Sequence, residues 1–137
     1  MAATLTRFVV HQHKTGRSHF DLRLIHGGIL RSWSLLKEPP RRAGERRLAI
    51  ERESFTADSM NRNLFEEEAF GPGMVSNWDE GEVTVAALSP RQLSLEFRGR
   101  RLTGNYELRR MLWYPGNRWI LAKKRPAQAP EARSNLP

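Results

Sequence analysis

From His13 to Arg23 the chain reads His-Lys-Thr-Gly-Arg-Ser-His-Phe-Asp-Leu-Arg, placing two imidazoles, a carboxylate and the Arg23 guanidinium within eleven residues. In an extended chain, side chains at i, i+2 and i+4 share one face. His19, Asp21 and Arg23 then project together, while Phe20, Leu22 and Leu24 point the other way into a core. His13 ends the run Arg7–His13, and a short turn over Lys14–Ser18 brings it beside His19. Imidazole and carboxylate donors suit Mn2+ or Zn2+, and a planar guanidinium suits a phosphate. The combination points to metal-assisted phosphoester chemistry. Spacing alone leaves a plainer alternative, a hydrogen-bonded trio on a barrel surface with Arg23 paired to Asp21 or Glu53.

Such a constellation needs strands to hold it, and short alternating runs dominate the chain. Arg7–His13, His19–Ile25, Leu30–Leu36, Arg47–Glu53, Met74–Trp78, Glu82–Leu88, Leu93–Arg98, Thr103–Arg109 and Trp119–Lys123 read as strands. Turn signals separate them, among them His26-Gly-Gly28, Pro39-Pro40 and Asp79-Glu-Gly81. Many short strands at nearly even spacing predict a mainly β protein, a small antiparallel β-barrel with short flanking helices. The one helical turn expected is the acidic stretch Asn61–Ala69. Residues 1–125 form the predicted domain, and 126–137 lack periodicity and read as a flexible tail. Trp33, Trp78, Trp113 and Trp119 are expected in the core rather than as base-stacking platforms. On Arg47–Glu53 the alternation predicts Leu48 and Ile50 toward the core, with Arg47, Ala49, Glu51 and Glu53 on a polar face.

Composition narrows the partner. The 137 residues carry a net charge of +8, which favours a polyanion. Arg-Arg pairs at 41–42, 46–47, 100–101 and 109–110 would together track a nucleic-acid backbone with salt-dependent affinity, although each alone is a solvated turn or strand end. The absence of cysteine excludes disulfides and thiolate zinc sites and fits a reducing cytosol. No apolar run approaches membrane-spanning length and the N-terminus lacks a secretory apolar region, so a cytoplasmic, nucleoid-associated protein is expected.

Several segments, taken in order, resemble one known family. They are Phe8-Val-Val-His-Gln-His13, Ser18-His-Phe-Asp-Leu-Arg-Leu24, Gly28-Ile-Leu-Arg-Ser-Trp-Ser-Leu-Leu-Lys37 and Arg47-Leu-Ala-Ile-Glu-Arg-Glu53. Phe70-Gly-Pro-Gly-Met-Val-Ser-Asn-Trp-Asp-Glu-Gly81, Leu95–Leu108 and Trp119–Lys124 continue the match. Together they are similar to the 3′-phosphoesterase domain of LigD, the bacterial end-joining DNA ligase. The resemblance implies a small β-barrel and a manganese-dependent enzyme, with another divalent ion as the alternative cofactor. It also implies removal of a 3′-terminal ribonucleoside and then of the residual 3′-phosphate, leaving a hydroxyl for ligation. Carried over by position, His13, His19 and Asp21 match metal ligands, and Arg23, Lys37 and Arg47 match phosphate-contacting or catalytic basic residues. Glu53 matches an acidic residue beside the site. Implied partners are DNA 3′ ends, with a DNA ligase, a repair polymerase and an end-bridging protein acting in trans.

The chain departs from that pattern at one place. After Glu53 the family reads Asp-His-Pro-Leu-Asp-Tyr, whereas this chain reads Ser54-Phe-Thr-Ala-Asp-Ser59. Phe55 falls where the family has histidine, and Ser59 where it has tyrosine. The family segment Ile-Pro-Glu-Gly-Glu-Tyr-Gly is also altered, to Phe65-Glu-Glu-Glu-Ala-Phe-Gly71. A phenyl ring neither protonates a leaving group nor hydrogen-bonds a phosphate, so weakened or altered activity is expected. His11 shares strand parity with His13 and reads as an accessory ligand, a proton donor or a surface residue at the rim. Two rival readings are a non-catalytic DNA-end-binding module and a protein scaffold without a ligand on this face.

Overall fold

The computed structural model describes residues 3–14, 17–56, 75–113 and 116–126. Alternation of apolar and polar side chains builds nine strands: β1 (Thr4–His13), β2 (His19–His26), β3 (Ile29–Leu35), β4 (Arg46–Glu51), β5 (Phe55–Thr56), β6 (Val75–Ser89), β7 (Gln92–Arg98), β8 (Thr103–Arg110) and β9 (Arg118–Lys123). Hydrogen bonding runs β2-β1-β6-β7-β8-β9-β4-β3, and pairing of β2 with β3 closes an antiparallel barrel. The predicted flanking helices are not found among the described residues. Asn61–Ala69, where a helical turn is expected, lies outside them, as does the tail from residue 127.

The inward face carries Phe8, Val10, Phe20, Leu22, Leu24, Trp33, Leu35, Val83, Leu95, Tyr106, Trp119 and Leu121, all buried. Each large apolar side chain removed from water contributes about 1.5–3 kcal/mol, and edge-to-face pairs such as Trp33–Trp119 at 5.8 Å set the packing. Trp113 departs from the expectation for the tryptophans: it is 91% exposed, on the loop after β8.

Two strand readings are corrected. On β4 the faces are reversed: Ala49 is fully buried and pairs with Trp119, while Leu48 is 40% exposed. Ala49 is the inward residue because it pairs directly with the buried Trp119 and shares its face. Arg47 and Glu51 share its parity and lie at opposite ends of the strand.

The expected break at Asp79-Glu-Gly81 is strand interior. Val10 pairs with Asp79 and His11 with Asn77, leaving Trp78 as an extra residue, a β-bulge. A Cβ on Gly81 would stand 2.4 Å from the carbonyl oxygen of Arg98, so glycine here serves close strand approach rather than a turn.

A second irregularity shapes the site. Glu51 pairs with Trp33 and Phe55 with Leu30, four steps along one strand against three along the other. The extra residue between β4 and β5 reverses the alternation and puts Phe55 on the same side as Leu30.

Candidate active site

Strands β1 and β2 pair with Val9 opposite Arg23, His11 opposite Asp21 and His13 opposite His19. Because Phe20, Leu22 and Leu24 face the core, the alternate residues of both strands share the outer face, as the sequence predicts. The imidazoles of His13 and His19 stack with ring centroids 4.6 Å apart and planes inclined by 6°. One oxygen of Asp21, Oδ2, lies 2.9 Å from His13 Nε2, 3.5 Å from His19 Nε2 and 3.8 Å from an Arg23 nitrogen. One ligand atom from each of His13, His19 and Asp21 fits within 4.8 Å of the others.

The orientation of these groups is fixed from behind. Asp21 is 6% exposed, and its other oxygen, Oδ1, accepts a 2.7 Å hydrogen bond from the Ser34 hydroxyl. Ser34 faces Asp21 because the two pair directly between β2 and β3. Arg52 Nε donates in turn to Ser34 Oγ at 3.0 Å. On the histidine side, Nδ1 of His19 lies 3.2 Å from the Arg17 carbonyl. A carbonyl can only accept, so Nδ1 carries the proton, and in the neutral ring the lone pair of Nε2 is directed at a carboxylate oxygen. Nε2 of His19 and the carboxylate oxygen stand 3.5 Å apart, and a cation held between them would be attracted to both. Metal-binding histidines commonly use their second nitrogen in this way. Burial holds the His13 imidazole below its usual pKa, opposed by the Asp21 charge and assisted by His19 and Arg23. The lone pair of His13 thus stays available near neutral pH. Donor types and convergence together fit a divalent ion held by His13, His19 and Asp21.

Beside this trio is a cleft of ≈ 360 Å3. His19, Asp21, Arg23, Ser32, Ser34, Arg52 and Glu53 form its polar part, and Leu30 with Phe55 its apolar end. Arg23 and Glu53 line this cleft together with two of the candidate metal ligands. His11 is only 1% exposed rather than a rim residue. Its Nδ1 lies 3.4 Å from Arg23 Nη1, where only the arginine can donate, so this ring steadies the guanidinium.

Lys37 and Arg47 are not brought to the cleft. Lys37 is exposed, two residues beyond β3. Arg47 donates to the carbonyls of Glu38 at 2.6 Å and Arg46 at 2.9 Å and lies 3.6 Å from the Glu45 carboxylate. Its inward parity sends it to the barrel mouth instead. Ser32, Ser34 and Arg52 are functional candidates that sequence reasoning missed. The alternation Leu30-Arg-Ser32-Trp-Ser34 held the signal, since two hydroxyls share the parity opposite a buried tryptophan.

The profile of the family described as the DNA Ligase D 3′-phosphoesterase domain matches residues 11–110. The chain is 30% identical over 132 residues to the multifunctional non-homologous end joining protein LigD of Pseudomonas aeruginosa, covering 91% of this chain and 16% of that protein. LigD of Mycobacterium bovis is 29% identical over 118 residues, covering 82% of this chain and 15% of that protein. LigD of Mycolicibacterium smegmatis is 25% identical over 126 residues, covering 83% and 16% respectively. The chain thus spans about one sixth of these relatives. A barrel presenting His13, His19 and Asp21 on one outer face, matched by that profile over most of its length, belongs to the DNA Ligase D 3′-phosphoesterase domain family.

Proposed function

We propose that this domain is a Mn2+-dependent phosphoesterase acting on DNA 3′ ends in end-joining repair. It removes a 3′-terminal ribonucleoside, a 3′-phosphate or both, leaving a 3′-hydroxyl. The observation that carries the reading is the convergence of His13, His19 and Asp21 on a point bordered by Arg23. When bound, the ion supplies Lewis-acid polarisation of a phosphoryl oxygen. Ser34 keeps Asp21 turned so that Oδ2 faces the histidines. Arg23 and Arg52 line the same cleft and neutralise the non-bridging phosphoryl oxygens as charge builds on them.

Hydrolysis places a water oxygen on phosphorus in both reactions: removal of the ribonucleoside breaks the bond from phosphorus to its 5′ oxygen and leaves a 3′-phosphate, removal of that phosphate breaks the bond to the 3′ oxygen, and in each a proton returns to the departing oxygen. Phe55, at the apolar end of the cleft, offers no proton, so departure of the 3′ oxygen relies on solvent or a neighbouring group. An enzyme slower on its poorer leaving groups follows. A DNA ligase, a repair polymerase and an end-bridging protein on separate chains, working in the cytoplasm at the nucleoid, complete the reading.

Purified protein with Mn2+ should trim a primer–template ending in a 3′-ribonucleotide or 3′-phosphate, and His19→Ala or Asp21→Ala should abolish the product. The second reading, an end-binding module without turnover, is favoured by Phe55 alone. It predicts end binding without product, with affinity for the end unchanged by those two substitutions.

A further inference from the structure

We propose that one mouth of the barrel is a second anion site, separate from the cleft, that grips the phosphodiester backbone of the nucleic acid whose end is processed. The proposal rests on the nucleic-acid reading above and extends it to a surface that the candidate chemistry does not use. Among the described residues the mouth is a trough of ≈ 830 Å3 whose lining includes Arg41, Arg42, Arg47, Arg100, Arg101 and Lys123, against two carboxylates, Glu38 and Glu45.

Those carboxylates are already committed. Glu38 pairs with Arg41 at 3.2 Å. Glu45 lies 3.6 Å from Arg47 and accepts the backbone N–H groups of Arg41 and Arg42 at 3.0 and 3.1 Å, which hold its pKa below the usual range. Among the described residues, Arg42, Arg100, Arg101 and Lys123 make no ion pair. Like charges gathered around one opening repel, and an external polyanion relieves that repulsion.

The turns that carry these arginines are held rigidly. Asp79 is fully buried. Its carboxylate accepts the backbone N–H groups of Arg100, Arg101 and Leu102 at 2.9, 3.0 and 2.8 Å. A Cβ on Gly99 would stand 2.3 Å from Asp79 Oδ2, so glycine alone permits this closure. On the facing turn the Tyr106 hydroxyl donates to the Pro40 carbonyl at 2.6 Å and Lys123 Nζ to the Arg41 carbonyl at 3.1 Å. Two buried polar anchors thus present two arginine pairs across one opening, which lowers the ordering cost of binding.

The trough and the candidate metal ligands lie toward the same end of the barrel. Leu35, the last residue of β3, pairs with Phe20, the neighbour of His19, and the chain runs on from Leu35 directly into the trough. Phe20 packs edge-to-face on Trp78 at 5.8 Å, and the Arg101 guanidinium sits 5.0 Å above that same indole. A strand that ends at Asp21 and continues toward this end of the barrel would meet these cations. Among the described residues Pro39 and Thr103 are the uncharged lining residues, and they do not make the apolar centre that a protein partner would need. Regularly spaced phosphates need none.

The test uses the full chain and a fluorescently labelled hairpin duplex with a 3′-phosphate, followed by anisotropy without added metal over a series of salt concentrations. Arg42→Ala/Arg100→Ala/Arg101→Ala should raise the dissociation constant at least about tenfold and reduce the salt slope by about 0.9 for each phosphate that is no longer neutralised. Replacement of the same residues by lysine should retain most of the affinity, and Mn2+-dependent release of phosphate from a 3′-mononucleotide should be unchanged. Should the triple variant melt early, Arg42→Gln and Arg100→Gln singly should each weaken binding in the same sense. Unchanged affinity and salt slope in these variants would overturn the proposal, as would binding of an acidic peptide in preference to the duplex. Because the readout needs no turnover, a protein that bound through the trough yet cleaved nothing would sink the catalytic reading and leave this one standing.

Discussion

The Ser34 hydroxyl donates to Oδ1 of Asp21 at 2.7 Å, and this bond leaves Oδ2 as the oxygen that faces both histidines. Ser34→Ala removes the anchor while leaving the three candidate ligands in place. Outer hydrogen bonds of this kind tune a metal site by about 10- to 100-fold. Calorimetric titration with Mn2+ should show an affinity loss of that order, alongside a loss of about 1–3 kcal/mol in the stability of the metal-free protein from the unpartnered carboxylate oxygen.

Phe55 lines the cleft beside Leu30. Phe55→His puts an imidazole at the position where the resemblance implies one, and a correctly placed acid or base is worth on the order of 10²–10⁴ in rate. Steady-state release of phosphate from a 3′-phosphate end should rise at least about tenfold. An unchanged rate would mean that this chain protonates its leaving group by another route.

Asp79 is wholly buried, and its carboxylate accepts three backbone N–H groups. Asp79→Ala leaves those donors without an acceptor, at a cost of about 3 kcal/mol. The midpoint of urea unfolding should fall accordingly.

Burial raises the pKa of the Tyr106 phenol far above its usual value, and the hydroxyl serves as donor to Pro40. The unfolded chain releases this proton above about pH 10, while the folded protein keeps it. Stability from this group is therefore complete below that pH and declines as pH rises further. In thermal melts, Tyr106→Phe should be less stable at neutral pH yet lose less stability on alkalinisation than the unaltered protein.

Much of this was legible in the chain. Seven of the nine predicted runs became strands within a few residues of their expected ends, because one buried face imposes a period of two on each. The other two, Met74–Trp78 and Glu82–Leu88, merged into β6; its break is the Trp78 bulge, and Met74 lies outside the described residues. The convergence of His13, His19 and Asp21 followed from parity and one short turn. What escaped depended on partners remote in sequence. The faces of β4 are set by Trp119, seventy residues after Ala49, so alternation alone assigned them backwards and placed Arg47 in the wrong surroundings. Ser34 and Arg52 matter only through registers that no single strand reveals.

Anomalous diffraction from crystals soaked in Mn2+ tests the central claim most directly. The account predicts one strong peak bonded to Nε2 of His13, Nε2 of His19 and Oδ2 of Asp21, and its loss in His19→Ala crystals. A peak elsewhere, or none at this trio under conditions where the protein binds the ion in solution, would contradict it.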